Sequence, residues 1–239
     1  MNRILVALDV PAADEAIALA ERVRGAVGGV KIGSQLFTAA GPDIVRTLVS
    51  RGDRVFLDLK FHDIPNTVAG AVASARALGV WMVNVHASGG PAMLEAARRA
   101  AGDGPGRPLV IAVTVLTSLD AATLGAVGVG ASPMDHVVRL ARMAAAAGLD
   151  GVVASPQETR AIRDACGPGF LVVTPGIRGA SAGTPGLDDQ KRTLTPIEAV
   201  RAGSSYLVVG RPITAASDPR DAARRMAAEI DEVGEPTSR

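Results

Sequence analysis

The sequence predicts a single-domain (β/α)8 barrel. Three observations carry that prediction. Short runs rich in Val, Ile and Leu alternate eight times with Ala-rich stretches of helical spacing. Most of the runs are nearly continuous in apolar residues, as strands buried on both faces of a parallel sheet should be. Many helical stretches open on proline, which costs little in a first turn, and several are followed by glycine, which accepts the left-handed backbone that ends many helices.

The units follow in order. A run at Ile4–Asp9 leads to a helix at Pro11–Arg24, where Ala16, Leu19, Ala20 and Val23 recur on one face. Val30–Gly33 precedes a helix at Pro42–Ser50, Arg54–Lys60 one at Pro65–Leu78, and Trp81–His86 one at Pro91–Ala101. Leu109–Leu116 precedes Pro133–Ala147, and Gly151–Ser155 precedes Gln157–Ala165. Leu171–Pro175 precedes Pro196–Ala202, and Tyr206–Gly210 precedes Pro219–Val233. Gly52, Gly79, Gly102, Gly148, Gly203 and Gly234 follow helices. Repeated strand-then-helix units imply parallel strands with right-handed crossovers, and eight of them most often close into a barrel. An open doubly wound sheet is the alternative, but the Gly-x-Gly-x-x-Gly turn it usually carries does not follow Asp9. The barrel is expected to span 1–239, with residues 234–239 as a frayed tail. Two connections are long: Thr117–Ser132, with Gly125, Gly128 and Gly130 and a short helix at its start, and Gly179–Lys191. Loops of that length in a compact barrel are commonly functional lids.

Composition excludes several classes of function. With 48% apolar and 21% charged residues, the 239-residue chain can build a large core. A net charge of +1, from 25 basic and 24 acidic residues, gives no reason to expect a nucleic-acid or membrane partner. Aromatic residues are 3%, too few for base-stacking platforms. The single cysteine, Cys166, permits neither an internal disulfide framework nor a multi-cysteine zinc site. The first apolar run is too short for a secretory core and ends in Asp9, and no apolar stretch approaches the ~18 residues of a membrane span. A cytoplasmic location is therefore expected.

Barrel active sites sit at the C-terminal ends of the strands. Those ends carry Asp9, Lys31, Asp58, Lys60, His86, Thr117 with Ser118, Arg178 and Arg211, while the strand interiors are apolar. Asp58 and Lys60, two apart on one strand, share a face, and Leu57 and Leu59 share the other. A charged pair in a strand buried on both sides must face a polar cavity or be paired. Asp63 follows at the turn. Carboxylate neighbours favour the ammonium form of a lysine, which suits a positioned proton donor and not a Schiff-base nucleophile. On the residues alone, this cluster fits a catalytic site and a structural ion-pair network equally. Gly210-Arg211 after the eighth run and Pro175-Gly176-Ile177-Arg178 after the seventh suit a phosphate, because loops after the last two strands often hold one through backbone N–H groups. Arginine adds a bidentate donor.

The run Asp58-x-Lys60-x-x-Asp63-Ile64-Pro65-Asn66-Thr67 resembles the signature of the orotidine 5′-monophosphate decarboxylase family. The likeness extends along nearly the whole chain: Ala7-Leu8-Asp9, Lys31-Ile32-Gly33, Thr114-Val115-Leu116-Thr117-Ser118, Thr174-Pro175-Gly176-Ile177-Arg178, Asp189-Gln190-x-Arg192 with Thr195-Pro196, and Val209-Gly210-Arg211-Pro212-Ile213. The resemblance implies a homodimeric, cofactor-free and metal-free enzyme. It would convert orotidine 5′-monophosphate to uridine 5′-monophosphate and CO2 in pyrimidine synthesis. It further implies that Lys60 protonates C6 of the pyrimidine within an alternating array of Lys31, Asp58, Lys60 and Asp63, with Asp63 reaching in from the partner subunit. Asp9, Lys31 and Thr67 would contact the ribose, Thr67 across the interface, with Ile64 beside it. Thr117 and Ser118 would lie near the base, and Pro175, Arg178, Gln190, Gly210 and Arg211 near the phosphate. Gln190 would sit on a loop that closes over substrate. Gly179–Asp189 is longer than is usual for the family.

Two alternatives belong to other classes. Magnesium-dependent sugar-phosphate decarboxylases and aldolases of the same superfamily resemble this Asp-x-Lys-x-x-Asp pattern, but typically have a metal-binding glutamate on the second strand, where Lys31 would repel a cation. They also lack the Ile64-Pro65-Asn66-Thr67 continuation. A non-catalytic phosphate-binding barrel would lack a charged member, and none is missing. Elsewhere, His86 reads as a supporting histidine, His62 as a loop or interface residue, His136 as an exposed helix start, Cys166 as a small residue near a helix end, and Trp81 as packing. Ser155-Pro156 has no triad context.

Overall fold

The structure is a computed structural model that describes residues 2–177 and 194–232. Eight parallel strands close into a barrel in sequence order, with the last pairing back to the first. They are β1 (Ile4–Ala7), β2 (Gly29–Gly33), β3 (Val55–Phe61), β4 (Met82–His86), β5 (Leu109–Val113), β6 (Gly151–Val153), β7 (Leu171–Thr174) and β8 (Tyr206–Val209). The described helices are α1 (Ala13–Val23), α2 (Ser34–Ala40), α3 (Asp43–Ser50), α4 (Pro65–Ala77), α5 (Pro91–Ala101), α6 (Ala121–Ala126), α7 (Pro133–Ala146), α8 (Thr159–Cys166), α9 (Pro196–Arg201), α10 (Arg211–Thr214) and α11 (Pro219–Asp231).

The two faces of each strand serve two cores. Leu5, Ala7, Phe56, Met82, Ile111, Val173 and Val208 fill the barrel axis. Ile4, Val6, Leu8 and their counterparts turn outward against the helices. This two-residue alternation with apolar residues on both sides makes the runs continuous in apolar character. Polar clamps fix the N-terminal rim. Arg107 donates to both oxygens of Asp150, at 2.6 and 2.8 Å, and Asp150 also accepts from the Val110 amide at 2.8 Å. Arg163 bridges the rim before β7 and β8, donating to the carbonyls of Gly203, Pro168 and Phe170 and to Ser205 Oγ. Trp81 packs edge-on to Tyr206 with ring centroids 5.1 Å apart, and the Arg54 guanidinium lies 4.3 Å from the Trp81 ring centroid.

The strands are shorter than most of the apolar runs, because the ladder stops where the chain turns into the loops. The fifth strand ends at Val113 and not at Leu116. Beyond it, the Leu119 amide bonds back to the Leu116 carbonyl at 2.9 Å, closing a turn before Asp120 caps α6. Two helices go beyond the sequence pattern. The seven-residue α2 buries Leu36 and packs Phe37 and Ala40 partly against the core, but is too short for that stripe to repeat. The four-residue α10 begins at Arg211, so β8 ends at Val209 and Gly210 is a junction. Gly179–Lys191 and residues 234–239 lie outside the described residues.

Phe56, 1% exposed at the barrel axis, has neighbours fixed by the closed sheet. Phe56→Ala should cost about 3–5 kcal/mol. It should lower the urea midpoint without changing the slope of the transition. A loss under ~1 kcal/mol would mean that the axis collapses around the gap.

Candidate active site

Four charged side chains meet at the C-terminal mouth of the barrel. Lys31 lies opposite Ala7 on β1 and Phe56 on β3, both of which face the axis, so its side chain also enters the barrel. Its ammonium is 3.1 Å from Asp9 Oδ1 and 3.3 Å from Asp58 Oδ2. Lys60 Nζ is 2.7 Å from the other Asp58 oxygen, Oδ1. The order is Asp9, Lys31, Asp58, Lys60, with alternating sign. Side-chain exposure is 9% for Lys31 and 13% for Asp58, but 36% for Lys60 and 56% for Asp9, so the inner pair is sealed and the outer two can reach a ligand. Removing one partner of a buried pair costs about 3–5 kcal/mol, so the inner charges hold one another in place. Gly33 leaves the room they need: a Cβ there would stand 2.9 Å from Lys31 Nζ and 3.3 Å from Asp9 Oδ1.

The third strand is not regular where its charges sit. Leu57 pairs with Val83 but Phe61 with Val85, so four steps along β3 match two along β4. Asp58, Leu59 and Lys60 occupy this bulge, and Lys60 has φ of 53°, in the left-handed region. Such a conformation costs a non-glycine residue on the order of 1–3 kcal/mol and gathers at functional sites. The shared face expected of Asp58 and Lys60 in a straight strand is thus reached by another route, through a bulge that turns Lys60 back onto Asp58.

Sequence reasoning missed Asn84. It is fully buried on β4, accepts from the Lys60 amide at 2.8 Å, and donates to Asp58 Oδ1 at 2.6 Å. The available signal was a lone amide in the apolar sequence Met82-Val83-Asn84-Val85. Buried polar groups must find partners, so such an amide points to a polar feature inside the barrel.

The other candidates are placed less tightly. Asp63 Oδ1 accepts from the Ile64 amide at 2.6 Å at an exposed turn, and among the described residues it pairs with no cation. Ile64 is 66% exposed, and Thr67, in the first turn of α4, is exposed as well. Thr117 is half-buried and Ser118 exposed in the turn after β5. Pro175 and Gly210 follow β7 and β8 directly, with exposed Arg211 opening α10. Ile177 and Leu194 form a parallel bridge, so the two ends that border residues 178–193 lie side by side. Arg178 and Gln190 lie outside the described residues.

The half-buried His86 ends β4, with the His62 ring 5.3 Å away, centroid to centroid. Burial, and then the neighbouring His62 and Lys60 charges, push the His86 imidazole below its ordinary value, with Asp58 opposing. His136, expected to be exposed, is half-buried. Among the described residues its Nδ1 has no hydrogen-bond partner, and burial, then the nearby Arg139 charge, lower its value too. Ser155 caps the turn Pro156–Glu158 through a reciprocal bond with Glu158. Among the described residues, no group of three or more His, Cys, Asp or Glu side chains is placed to hold a metal ion, and none of the helices is long and apolar enough to cross a membrane.

Residues 2–226 match the orotidine 5′-phosphate decarboxylase/HUMPS family. The chain belongs to that family. Among its relatives, the orotidine 5′-phosphate decarboxylase of Halorhodospira halophila is 57% identical over 232 residues, covering 97% of each chain. That of Moorella thermoacetica is 55% identical over 238 residues, covering 97% of this chain and 93% of its own. The crystal structure of orotidine 5′-phosphate decarboxylase from Lactobacillus acidophilus superposes with a TM-score of 0.85 at 36% identity, covering 97% of this chain and 100% of that one. For this member of the decarboxylase/HUMPS family, the charged array lies inside the matched span.

A depressed histidine value fixes the sign of a pH effect. Above 6.5 His86 is neutral folded or unfolded; as pH falls below that value, the unfolded chain takes up the proton first, so stability is lost as pH falls through the folded-state value. His136 acts in the same direction. Urea unfolding between about pH 7.5 and 5 should show this decline, and His86→Gln should flatten it. The same slope in the variant would mean that His86 takes up protons equally in both states.

Proposed function

We propose that the chain decarboxylates orotidine 5′-monophosphate to uridine 5′-monophosphate and CO2, a step of pyrimidine synthesis. The observation that carries this reading is the alternating array, with an accessible Lys60 ammonium backed by a sealed Asp58. The high identity to relatives named orotidine 5′-phosphate decarboxylase supports the same reading. Breaking the bond from C6 to the carboxylate leaves an electron pair in the plane of the ring, where the π system cannot delocalise it. A site can stabilise that pair with a fixed positive charge. Lys60 supplies the charge and then the proton: an N–H bond of the ammonium breaks, a C6–H bond forms, CO2 departs, and the neutral amine regains a proton from water.

Asp58 has both oxygens engaged, Oδ1 by Lys60 and Asn84 and Oδ2 facing Lys31, which supports an orienting role. Asp9 and Lys31 contact the ribose, and Thr117 and Ser118 the base. Pro175, Gly210 and Arg211 hold the phosphate together with Arg178 and Gln190, and binding energy from that remote group can be used to stabilise the transition state. The active form is a cytoplasmic homodimer. Asp63 and Thr67, with Ile64, act on the neighbouring site; their exposure in a single chain supports this. A magnesium-dependent sugar-phosphate reaction is disfavoured because Asp9 and Asp58 already share the Lys31 ammonium where a cation would need them.

The decisive measurement is the fall in absorbance as orotidine 5′-monophosphate is consumed in the presence of EDTA. Wild type should turn over and Lys60→Ala should not, while the variant still binds uridine 5′-monophosphate. Near-wild-type kcat in Lys60→Ala would remove the proton-donor role, and wild-type binding without turnover would leave only a binding barrel. The shared site has its own test. Mixing inactive Lys60→Ala and Asp63→Ala protomers should restore activity, because each hybrid contains one site with both residues intact. No recovery despite demonstrated subunit exchange would assign each site to one chain.

A further inference from the structure

Asn84 has a role the array cannot supply for itself. In a regular parallel ladder, the Lys60 amide would bond to a main-chain carbonyl of the next strand. The two extra residues between Leu57 and Phe61 remove it from that register. The Asn84 side-chain oxygen takes its place, 2.8 Å from the Lys60 nitrogen. The amide nitrogen of the same side chain donates to Asp58 Oδ1 at 2.6 Å, the oxygen that also receives Lys60 Nζ at 2.7 Å. One neutral group therefore grips the backbone of the lysine and the carboxylate that orients its ammonium. The orientation of the amide follows from its partners: an N–H must meet oxygen and a carboxylate must meet NH2.

We infer that Asn84 is a positioning residue that holds Lys60 in its left-handed bulge and fixes Asp58 beneath it, so that the ammonium points into the mouth. This inference rests on the proposed proton transfer by Lys60. Asparagine suits the place because a primary amide accepts and donates at once without adding charge. Its burial keeps solvent from both bonds.

The test compares Asn84→Ala and Asn84→Asp with wild type. It measures kcat and KM for orotidine 5′-monophosphate, Kd for uridine 5′-monophosphate, and exchange of the product C6 hydrogen in D2O, the reverse of the protonation step. Asn84→Ala should lower kcat and the exchange rate together by more than about tenfold, with KM and Kd within about threefold. Asn84→Asp keeps the arm to the Lys60 amide, and its carboxyl can donate to Asp58 only when protonated. Its deficit in kcat should therefore widen as pH is raised from about 6 to 9, while that of Asn84→Ala stays constant relative to wild type. If Asn84→Ala does not fold, the pH profile and exchange rate of Asn84→Asp carry the test. Folded variants with wild-type kcat and exchange, a parallel loss of kcat and product affinity, or a pH-independent deficit in Asn84→Asp would each overturn the positioning role. A wild type without turnover would instead overturn the reaction, and the inference with it.

Discussion

A lysine cannot be sealed in a barrel without a counter-charge, and Lys31 is only 7% exposed. The mouth is organised around meeting that demand. Asp58 answers it with one oxygen and holds Lys60 with the other, while Asp9 covers Lys31 from the solvent side. Because the carboxylate is shared, neither lysine can shift without disturbing the other. Gly33 and Asn84 are the small and the neutral residue that this packing requires, one leaving space and the other filling the hydrogen-bond valences that remain. The charges lie above a dry axis of Phe56, Met82 and Ile111, so they are fixed from below by close packing and open only upward.

That layering separates stability from chemistry along the strand direction. Arg107 with Asp150 and Arg163 with its carbonyl partners tie the N-terminal rim, far along the strands from the array. The mouth can then carry a strained Lys60, a bulge and exposed charged residues such as Asp63, because the closed sheet and its opposite rim supply the rigidity. A preorganised charge stabilises a developing anion without reorganising at the moment of reaction, and that requires a stiff support.

Most of the barrel was legible because each strand shows both its faces as apolar, a signal that survives without any knowledge of neighbours. Asp9, Lys31, Asp58 and Lys60 were legible because a charge closing such a run must meet either a polar cavity or a counter-charge. Helix α2 was not, since its stripe of Leu36, Phe37 and Ala40 fills barely two turns, too short to show a helical period. The bulge was hidden for a different reason: register is a relation between two strands, and nothing in Asp58-Leu59-Lys60 states that β4 advances two residues while β3 advances four. Asn84 was hidden with it, because its partners are 24 and 26 positions earlier in the chain. A two-residue spacing correctly brought Asp58 and Lys60 together, but for a straight strand that does not exist there.

The bulge also bears on what Asp58 does in the proposed reaction. If its main effect were to repel a bound substrate carboxylate, its charge would be best left bare toward the ligand. Instead Oδ1 receives two donors, at 2.6 and 2.7 Å, and Oδ2 faces Lys31 at 3.3 Å. Donors on both oxygens draw charge inward and reduce the field that reaches the mouth, so repulsion is muted where it would have to act. Orientation is favoured by the same contacts, since each one restricts where Asp58 can lie and hence where Lys60 Nζ can point. Proton transfer depends steeply on the placement of donor and acceptor, and an ammonium held from its backbone by Asn84 and from its head by Asp58 has little freedom to miss. In the proposed reaction, this geometry favours a carboxylate that acts through the lysine, and the bulge in β3 is what brings the two to the same point.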